Sequence, residues 1–121
     1  MMSLNDKNII AGSLLIALVK AFKNPKRKSL WDDGLEERDL AFEANLLSPM
    51  DMELARYATT KRRGIVNILE QLEIQCLIRF QDKDPSKLYK IFPTEDGLSI
   101  GEKLIRPWFI KILLSMFSKG K

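Results

Sequence analysis

Four side chains near the middle of the chain have the types and spacing needed to contact a nucleic acid. Lys61, Arg62 and Arg63 are three consecutive cations, and Asn67 follows one helical turn after Arg63. Cations at the start of a helix can bind phosphates together with free backbone N–H groups. An asparagine amide can pair with adenine in a major groove. The alternative is that these residues only form the solvated face of an ordinary helix, and their types alone favour neither reading.

A helix predicted over residues 61–73 would position these four side chains. Its apolar residues recur at the helical spacing i, i+3, i+4 and i+7. They are Ile65, Ile68, Leu69 and Leu72. We expect this apolar face to lie in the core, which leaves the cations and Asn67 on the remaining surface.

A shorter helix is predicted just upstream, over residues 49–58. Ser48 can accept a hydrogen bond as an N-cap, and Pro49 suits the first turn because its missing N–H costs nothing there. Thr59 and Thr60 are expected to form the turn between the two helices, because hydroxyl residues of this type favour caps and turns. Both threonines could then contact a nucleic-acid backbone.

Two strands are predicted after the second helix, over residues 74–80 and 87–92. Both runs are rich in branched or aromatic residues, and the charged turn cluster 82–86 joins them. A strand pair directly after two such helices would make a winged helix-turn-helix. Three cations would then lie on the wing and could neutralise phosphates: Arg79, Lys83 and Lys87.

Four short motifs within residues 50–104 resemble those of winged-helix regulators of the MarR and PadR type. In chain order they are ELAR at 53–56, LEQLE at 69–73, CLIR at 76–79 and TEDG at 94–97. The chain departs from that pattern at Cys76, where a glycine is usual, and at Arg62-Arg63-Gly64, where small or hydroxyl residues are common. The resemblance implies double-stranded DNA binding, and it implies a homodimer that pairs through terminal helices.

The composition is that of a single soluble domain spanning residues 1–121. Hydrophobic residues make up 45% and charged residues 30%, which suits a globular chain rather than a disordered one. The net charge of +4 favours an anionic partner. The lone cysteine, Cys76, is expected to pack in the core, because its neighbours are apolar. The absence of histidine removes histidine-based catalysis and the commonest nitrogen ligand of metals.

Helices are also predicted at both termini and over residues 35–47. The N-terminal helix, residues 5–22, has an apolar run too short to span a bilayer. Residues 24–34 are read as a connector in which Trp31 folds back onto the core. The C-terminal helix, residues 94–118, should kink at Pro107. We expect the two terminal helices to form a dimer, although the apolar, basic segment after Pro107 could instead lie on a membrane surface.

The acidic residues just before and within the helix predicted over residues 35–47 do not match a recognised metal-binding loop, so a solvated face is expected for them. They are Asp32, Asp33, Glu36, Glu37 and Asp39. We identify neither a nucleophile–base pair nor a phosphate-binding glycine loop, so we predict no enzyme activity, no catalytic residue, no metal and no cofactor.

The sequence therefore predicts a mainly α protein with a small β-wing, a winged helix-turn-helix with additional N- and C-terminal helices. We expect a cytoplasmic, homodimeric transcription regulator that binds double-stranded DNA, for which a membrane surface is a less favoured partner. Two alternatives stay open. One is a protein-interaction module on the same scaffold, and the other is a peripheral membrane protein that uses the C-terminal helix.

Overall fold

A computed structural model describes residues 4–81, 83 and 87–105 of the chain. These residues are mainly helical and include a small antiparallel sheet, as predicted. The helices are α1 (Leu4–Lys23), α2 (Leu30–Asp33), α3 (Glu37–Glu43), α4 (Leu54–Arg56), α5 (Arg62–Ile74) and α6 (95–105). The strands are β1 (Leu35–Glu36), β2 (Ile78–Phe80) and β3 (Lys90–Pro93). A 3₁₀ turn covers Pro25–Arg27, and a π-helical segment covers Tyr57–Lys61.

The sheet places β3 in the centre, in the order β1-β3-β2. The strand β2 pairs with β3 so that Arg79 lies opposite Phe92, and β1 pairs with β3 through Leu35 opposite Ile91. The two predicted strands therefore form and pair, but both are shorter than expected. The strand β2 starts late because α5 continues to Ile74 and the chain turns before Ile78, and β3 starts at Lys90 rather than at residue 87. The strand β1 was not predicted, since residues 35 and 36 were assigned to a helix.

The helix α1 confirms the N-terminal prediction and carries much of the core. Its second half is buried, with Leu14 and Leu18 fully inaccessible to solvent. Its last turns contact the sheet, where the ring of Phe22 lies 6.0 Å from that of Phe92. Trp31 folds back as predicted, because its indole N–H donates to the carbonyl of Phe22 at 3.0 Å. The predicted connector thus contains a short helix and closes over the end of α1.

The helix predicted over residues 49–58 starts later than predicted, although residues 54–58 are helical. Residues 49–52 form turns, and α4 begins only at Leu54. The predicted break at Thr59 and Thr60 is wrong, because the chain stays helical through the π segment into α5. The helix predicted over 61–73 is confirmed, and so is its buried face. The core residues of α5 are Ile65, Ile68, Leu69 and Leu72.

The first residues of α6 contact the loop that follows α5, and a later turn of α6 packs against α1. The Thr94 hydroxyl accepts from the N–H of Gly97 at 3.0 Å, which confirms the predicted hydroxyl cap. A side chain at position 97 would collide with the Leu77 carbonyl, and one at position 101 would collide with Val19. Glycine is therefore required at both positions, because the neighbouring atoms lie too close for a side chain. The predicted kink at Pro107 and the segment beyond it lie outside the described residues.

Candidate functional site

The exposed surface of α5 carries two of the four central side chains expected to contact a nucleic acid. The buried face of α5 is fixed by its four core residues, and the opposite side carries Arg63 and Asn67, both exposed. In the described part of the chain, Arg63 has no ion-pair partner. Its guanidinium is therefore available to an external anion. Glu70 and the well-exposed Ile74, which is 71% accessible, continue the outer side of the helix.

Arg62 is turned away from that outer surface. Its Nε and Nη2 atoms donate to Glu37 Oε1 at 3.1 and 2.9 Å, and Nη2 also donates to the Lys87 carbonyl at 2.8 Å. Only 21% of the Arg62 side chain is accessible, and that of Glu37 is fully buried. The hydrogen bond to Glu37 raises the pKa of Arg62, so the side chain stays positively charged. Arg62 therefore belongs to an internal ion pair, and the expectation that it lies on the outer helix surface is not met.

Glu37 was expected on a solvated face, and that expectation is wrong. Its Oε2 accepts the Tyr57 hydroxyl, while its Oε1 accepts Arg62 and the backbone N–H of Tyr89, the latter at 2.9 Å. Burial, together with the hydrogen bond to Glu37, raises the pKa of Tyr57, which stays a neutral donor. We call Glu37, Tyr57, Arg62 and Tyr89 the Glu37 cluster. The sequence gives no periodic signal for it, because its members come from three separate parts of the chain.

Lys61 is also paired, although nearly half of its side chain stays exposed. Its Nζ lies 2.6 Å from Asp51 Oδ2, which also accepts the backbone N–H and the hydroxyl of Ser48 at 2.9 and 3.0 Å. The hydrogen bond from Lys61 and those from Ser48 lower the pKa of Asp51 to about 2. Lys61 is thus partly neutralised by Asp51 at neutral pH.

The three cations predicted to lie on a wing differ in their surroundings. Lys83 pairs with Glu73 and lies 5.1 Å from the ring centre of Phe80. Arg79 is exposed, with its guanidinium 4.2 Å from the ring centre of Phe92. Lys87 is exposed and, within the described residues, has no ion-pair partner. Arg79 and Lys87 therefore keep their charges available at the surface.

The two threonines lie in the π segment rather than in a turn. Thr59 is exposed, and its hydroxyl donates to the Arg56 carbonyl at 3.4 Å. Thr60 follows it in the same segment. The structure thus brings Thr59 and Thr60 next to the start of α5, but it places them inside a helix.

A groove of about 530 Å³ separates the N-terminal half of α1 from α5. Ala11 and Leu72 are among its apolar lining residues, while Asn8, Asn67 and Gln71 supply side-chain amides. Asn67 thus lies both on the outer side of α5 and at the edge of this groove. No motif in the sequence indicated this groove.

No family model matches the chain, and no curated protein or solved structure matches it either. Among the described residues, no cluster of acidic or cysteine side chains could hold a metal ion. In the same residues, no helix has the length and apolar character needed to cross a membrane.

Proposed function

We propose that the chain is a winged-helix protein that binds double-stranded DNA as a homodimer and regulates transcription. The observation that carries the proposal is the outer side of α5, where Arg63, exposed and without an ion-pair partner in the described residues, precedes Asn67 by one turn. The opposite face of the helix holds it to the core. A helix of this kind fits a B-DNA major groove. Arg63 supplies a charge for phosphate or guanine, and Asn67 supplies an amide for adenine.

The sheet supports the same proposal. An antiparallel β2–β3 hairpin follows α5 directly, and β1 closes the sheet on the other side of β3. In a wing, a hairpin in this position contacts the phosphates that flank the major groove. Arg79 and Lys87 are the wing cations whose charge is free of a carboxylate partner in the described residues, so they are the proposed phosphate ligands.

Lys61, Arg62 and Lys83 take secondary places in the proposal. Arg62 is committed to Glu37 and Lys61 to the largely buried Asp51. Lys83 could exchange Glu73 for a phosphate at small cost, because exposed ion pairs contribute little. Thr59 and Thr60 are proposed backbone contacts from the π segment. Asn67 and Arg63 are then the residues proposed to recognise the DNA bases.

The paired cations also favour a second candidate, a protein-interaction module on the same scaffold. Lys61, Arg62 and Lys83 are each offset by a carboxylate, and Ile74 is exposed on the outer side of α5. A surface with partly cancelled charge and an exposed aliphatic side chain suits a protein partner better than it suits DNA.

Binding to random duplex DNA at several salt concentrations separates the two candidates. Fluorescence anisotropy of a labelled duplex should give an affinity that falls steeply as salt rises, because phosphate contacts release counterions. An interaction module should show no salt-sensitive binding even at low salt. That result would remove the DNA-binding proposal.

A further inference from the structure

The Glu37 carboxylate is buried without solvent contact, yet the proposed DNA surface does not use it. Four donors reach it: Nε and Nη2 of Arg62, the backbone N–H of Tyr89 and the Tyr57 hydroxyl. Removing a carboxylate from water is costly unless its acceptor sites are filled and an opposite charge is close. Both conditions are met, so this carboxylate is held at one position by its surroundings.

The π segment allows Tyr57 and Arg62 to reach the same carboxylate. The Arg62 backbone N–H donates to the Tyr57 carbonyl, a bond that spans five residues instead of the four of an α-helix. The wider turn brings residues five apart onto one side of the helix. If this turn were α-helical, Lys61 would lie on the same side of the helix as Tyr57, and Arg62 would lie on a different side.

The Glu37 cluster also contacts residues 87–89, the part of the β2–β3 hairpin that leads into β3. Residues 87–89 come before β3 begins, so the regular strand ladder does not hold them. Instead, Tyr89 exchanges two hydrogen bonds with Glu37: its N–H donates to the carboxylate, and its carbonyl accepts the Glu37 N–H at 2.9 Å. Arg62 adds a bond to the Lys87 carbonyl. One charged cluster thus ties this return arm, residues 87–89, to the start of α5.

We propose that Glu37 is a positioning residue whose carboxylate fixes the return arm of the hairpin against the start of α5. Two of the three hydrogen bonds of the return arm depend on charge, because they are made to the Glu37 carboxylate and to the guanidinium that it orients. The third joins backbone groups of Glu37 and Tyr89 and does not depend on charge. For the DNA contacts, and therefore only if the proposed function is correct, Glu37 sets where Lys87 lies relative to Arg63. The structural part of the inference stands without DNA.

Hydrogen exchange of the full chain without DNA tests the proposal, with Glu37→Gln as the variant and Glu36→Gln as the control. The glutamine side chain keeps the size of the glutamate but lacks the charge that holds Arg62. We expect amides at 89–91 to exchange at least about tenfold faster, because a hydrogen bond to a charged group contributes that much. Amides in the buried half of α1 should lose protection by a clearly smaller factor, because a general loss of stability acts on all amides, whereas local opening adds to it only at the return arm. Glu36 is a half-buried neighbour on β1 that pairs with Arg38 and, at 3.9 Å, with the side chain of Lys90 rather than with a backbone N–H, so Glu36→Gln should change exchange at 89–91 far less than Glu37→Gln does.

Unchanged exchange at 89–91 in Glu37→Gln would overturn the proposal, and so would an equal rise across α1 and the hairpin, which indicates a general loss of stability. If Glu37→Gln does not fold, Arg62→Lys decides the matter. Lysine keeps the charge but loses the two-pronged geometry, so the local increase should persist in a milder form, and its absence would count against the proposal. Since the measurement uses no DNA, its outcome is separate from that of the duplex-binding experiment.

Discussion

Arg62 and Arg63 are adjacent in the sequence but have opposite environments. Arg62 lies on the side of α5 that faces the hairpin, where it neutralises the buried Glu37, and Arg63 lies on the outer side, exposed to solvent. The rotation of about 100° between neighbouring residues of a helix explains the difference. The run Lys-Arg-Arg is therefore not one cationic surface, and each residue has its own role.

Replacing Arg62 by alanine should reduce the stability of the fold. Its removal leaves Glu37 buried without a counter-charge, which typically lowers the free energy of unfolding by about 3 kcal/mol. Arg63→Ala is the matched control, and it should change that free energy by no more than about 0.5 kcal/mol, as exposed substitutions usually do. Urea denaturation followed by circular dichroism measures both. Equal effects of the two substitutions would show that the ion pair does not stabilise the fold.

Asp51 should make stability depend on acid pH. Its pKa in the folded chain is about 2, below the value near 3.9 of an unfolded chain. A carboxyl group whose pKa is lowered by folding stabilises the fold above its unfolded pKa, and this contribution is lost as pH falls from about 4 to about 2. Asp51→Asn should therefore unfold at lower urea than the unmodified chain at pH 7, and the gap should close near pH 2. A gap that stays constant over this range would contradict the account, and Asp32→Asn on the exposed surface of α2 serves as the control.

At the scale of elements, α5 ends in a backbone conformation that suits glycine better than cysteine. The Leu77 N–H donates to the Leu72 carbonyl and the Cys76 N–H to that of Glu73, which is the pattern of a helix end with a left-handed residue. Cys76 takes that position with φ at 62° and is exposed. The expectation that Cys76 packs in the core is therefore wrong.

Cys76→Gly should raise the free energy of unfolding by about 1 kcal/mol, because the left-handed conformation strains an L-residue but not glycine. Gln75→Gly is the control one residue earlier, where φ is −78° and glycine offers no relief. That substitution should lower the free energy of unfolding by about 0.5–1 kcal/mol. Thermal or urea unfolding of both variants tests the prediction. A destabilising effect of both glycines would show that the left-handed strain is unimportant.

The sequence predicted α1 and α5 well because both are set by apolar periodicity, which is a local property. The four core residues of α5 are the ones that its spacing indicated. The helix start predicted at Ser48 was wrong for a different reason. Ser48 and Asp51 do form a reciprocal cap, since the Asp51 N–H donates to the Ser48 hydroxyl at 3.2 Å and Asp51 accepts the Ser48 N–H. Ser48 and Asp51 thus cap a turn, but this turn does not continue into α4.

The π segment and β1 could not be predicted, because both depend on contacts distant in sequence. Two residues, Leu35 and Glu36, become a strand only because β3 is beside them. The π segment brings Tyr57 and Arg62 to a carboxylate 20 or more residues away. The buried position of Glu37 follows from the same contacts, and its sequence neighbours gave no sign of it.

At the scale of the whole molecule, the total of 20 lysines and arginines overstates the cationic surface that an anion would meet. Lys61, Arg62 and Lys83 are offset by carboxylates, so Arg63, Arg79 and Lys87 carry most of the proposed attraction to DNA. A homodimer would double this surface and give two α5 helices for two half-sites. The proposed pairing uses α1 and the C-terminal helix.

Ile9 offers a test of that pairing, since 67% of it is exposed on α1. Ile9→Glu should convert a dimer into a monomer of 13.9 kDa, because a charge buried in an apolar interface is costly. Ile74→Glu, at an equally exposed position on α5, should leave the dimer intact. Light scattering coupled to size-exclusion chromatography gives the mass of each. A monomeric unmodified chain, or a dimer that survives Ile9→Glu, would contradict pairing through this part of α1.

The most direct test of the account compares the salt dependence of duplex-DNA affinity in the unmodified chain, Arg63→Ala and Lys26→Ala. Lys26 is an exposed lysine in the connector after α1, outside the proposed DNA surface. The account predicts that Arg63→Ala weakens binding and makes the slope of log affinity against log salt shallower by about one, the loss expected for one phosphate contact. Lys26→Ala should keep the original slope. The same slope and affinity in all three proteins would contradict the claim that the outer side of α5 meets DNA.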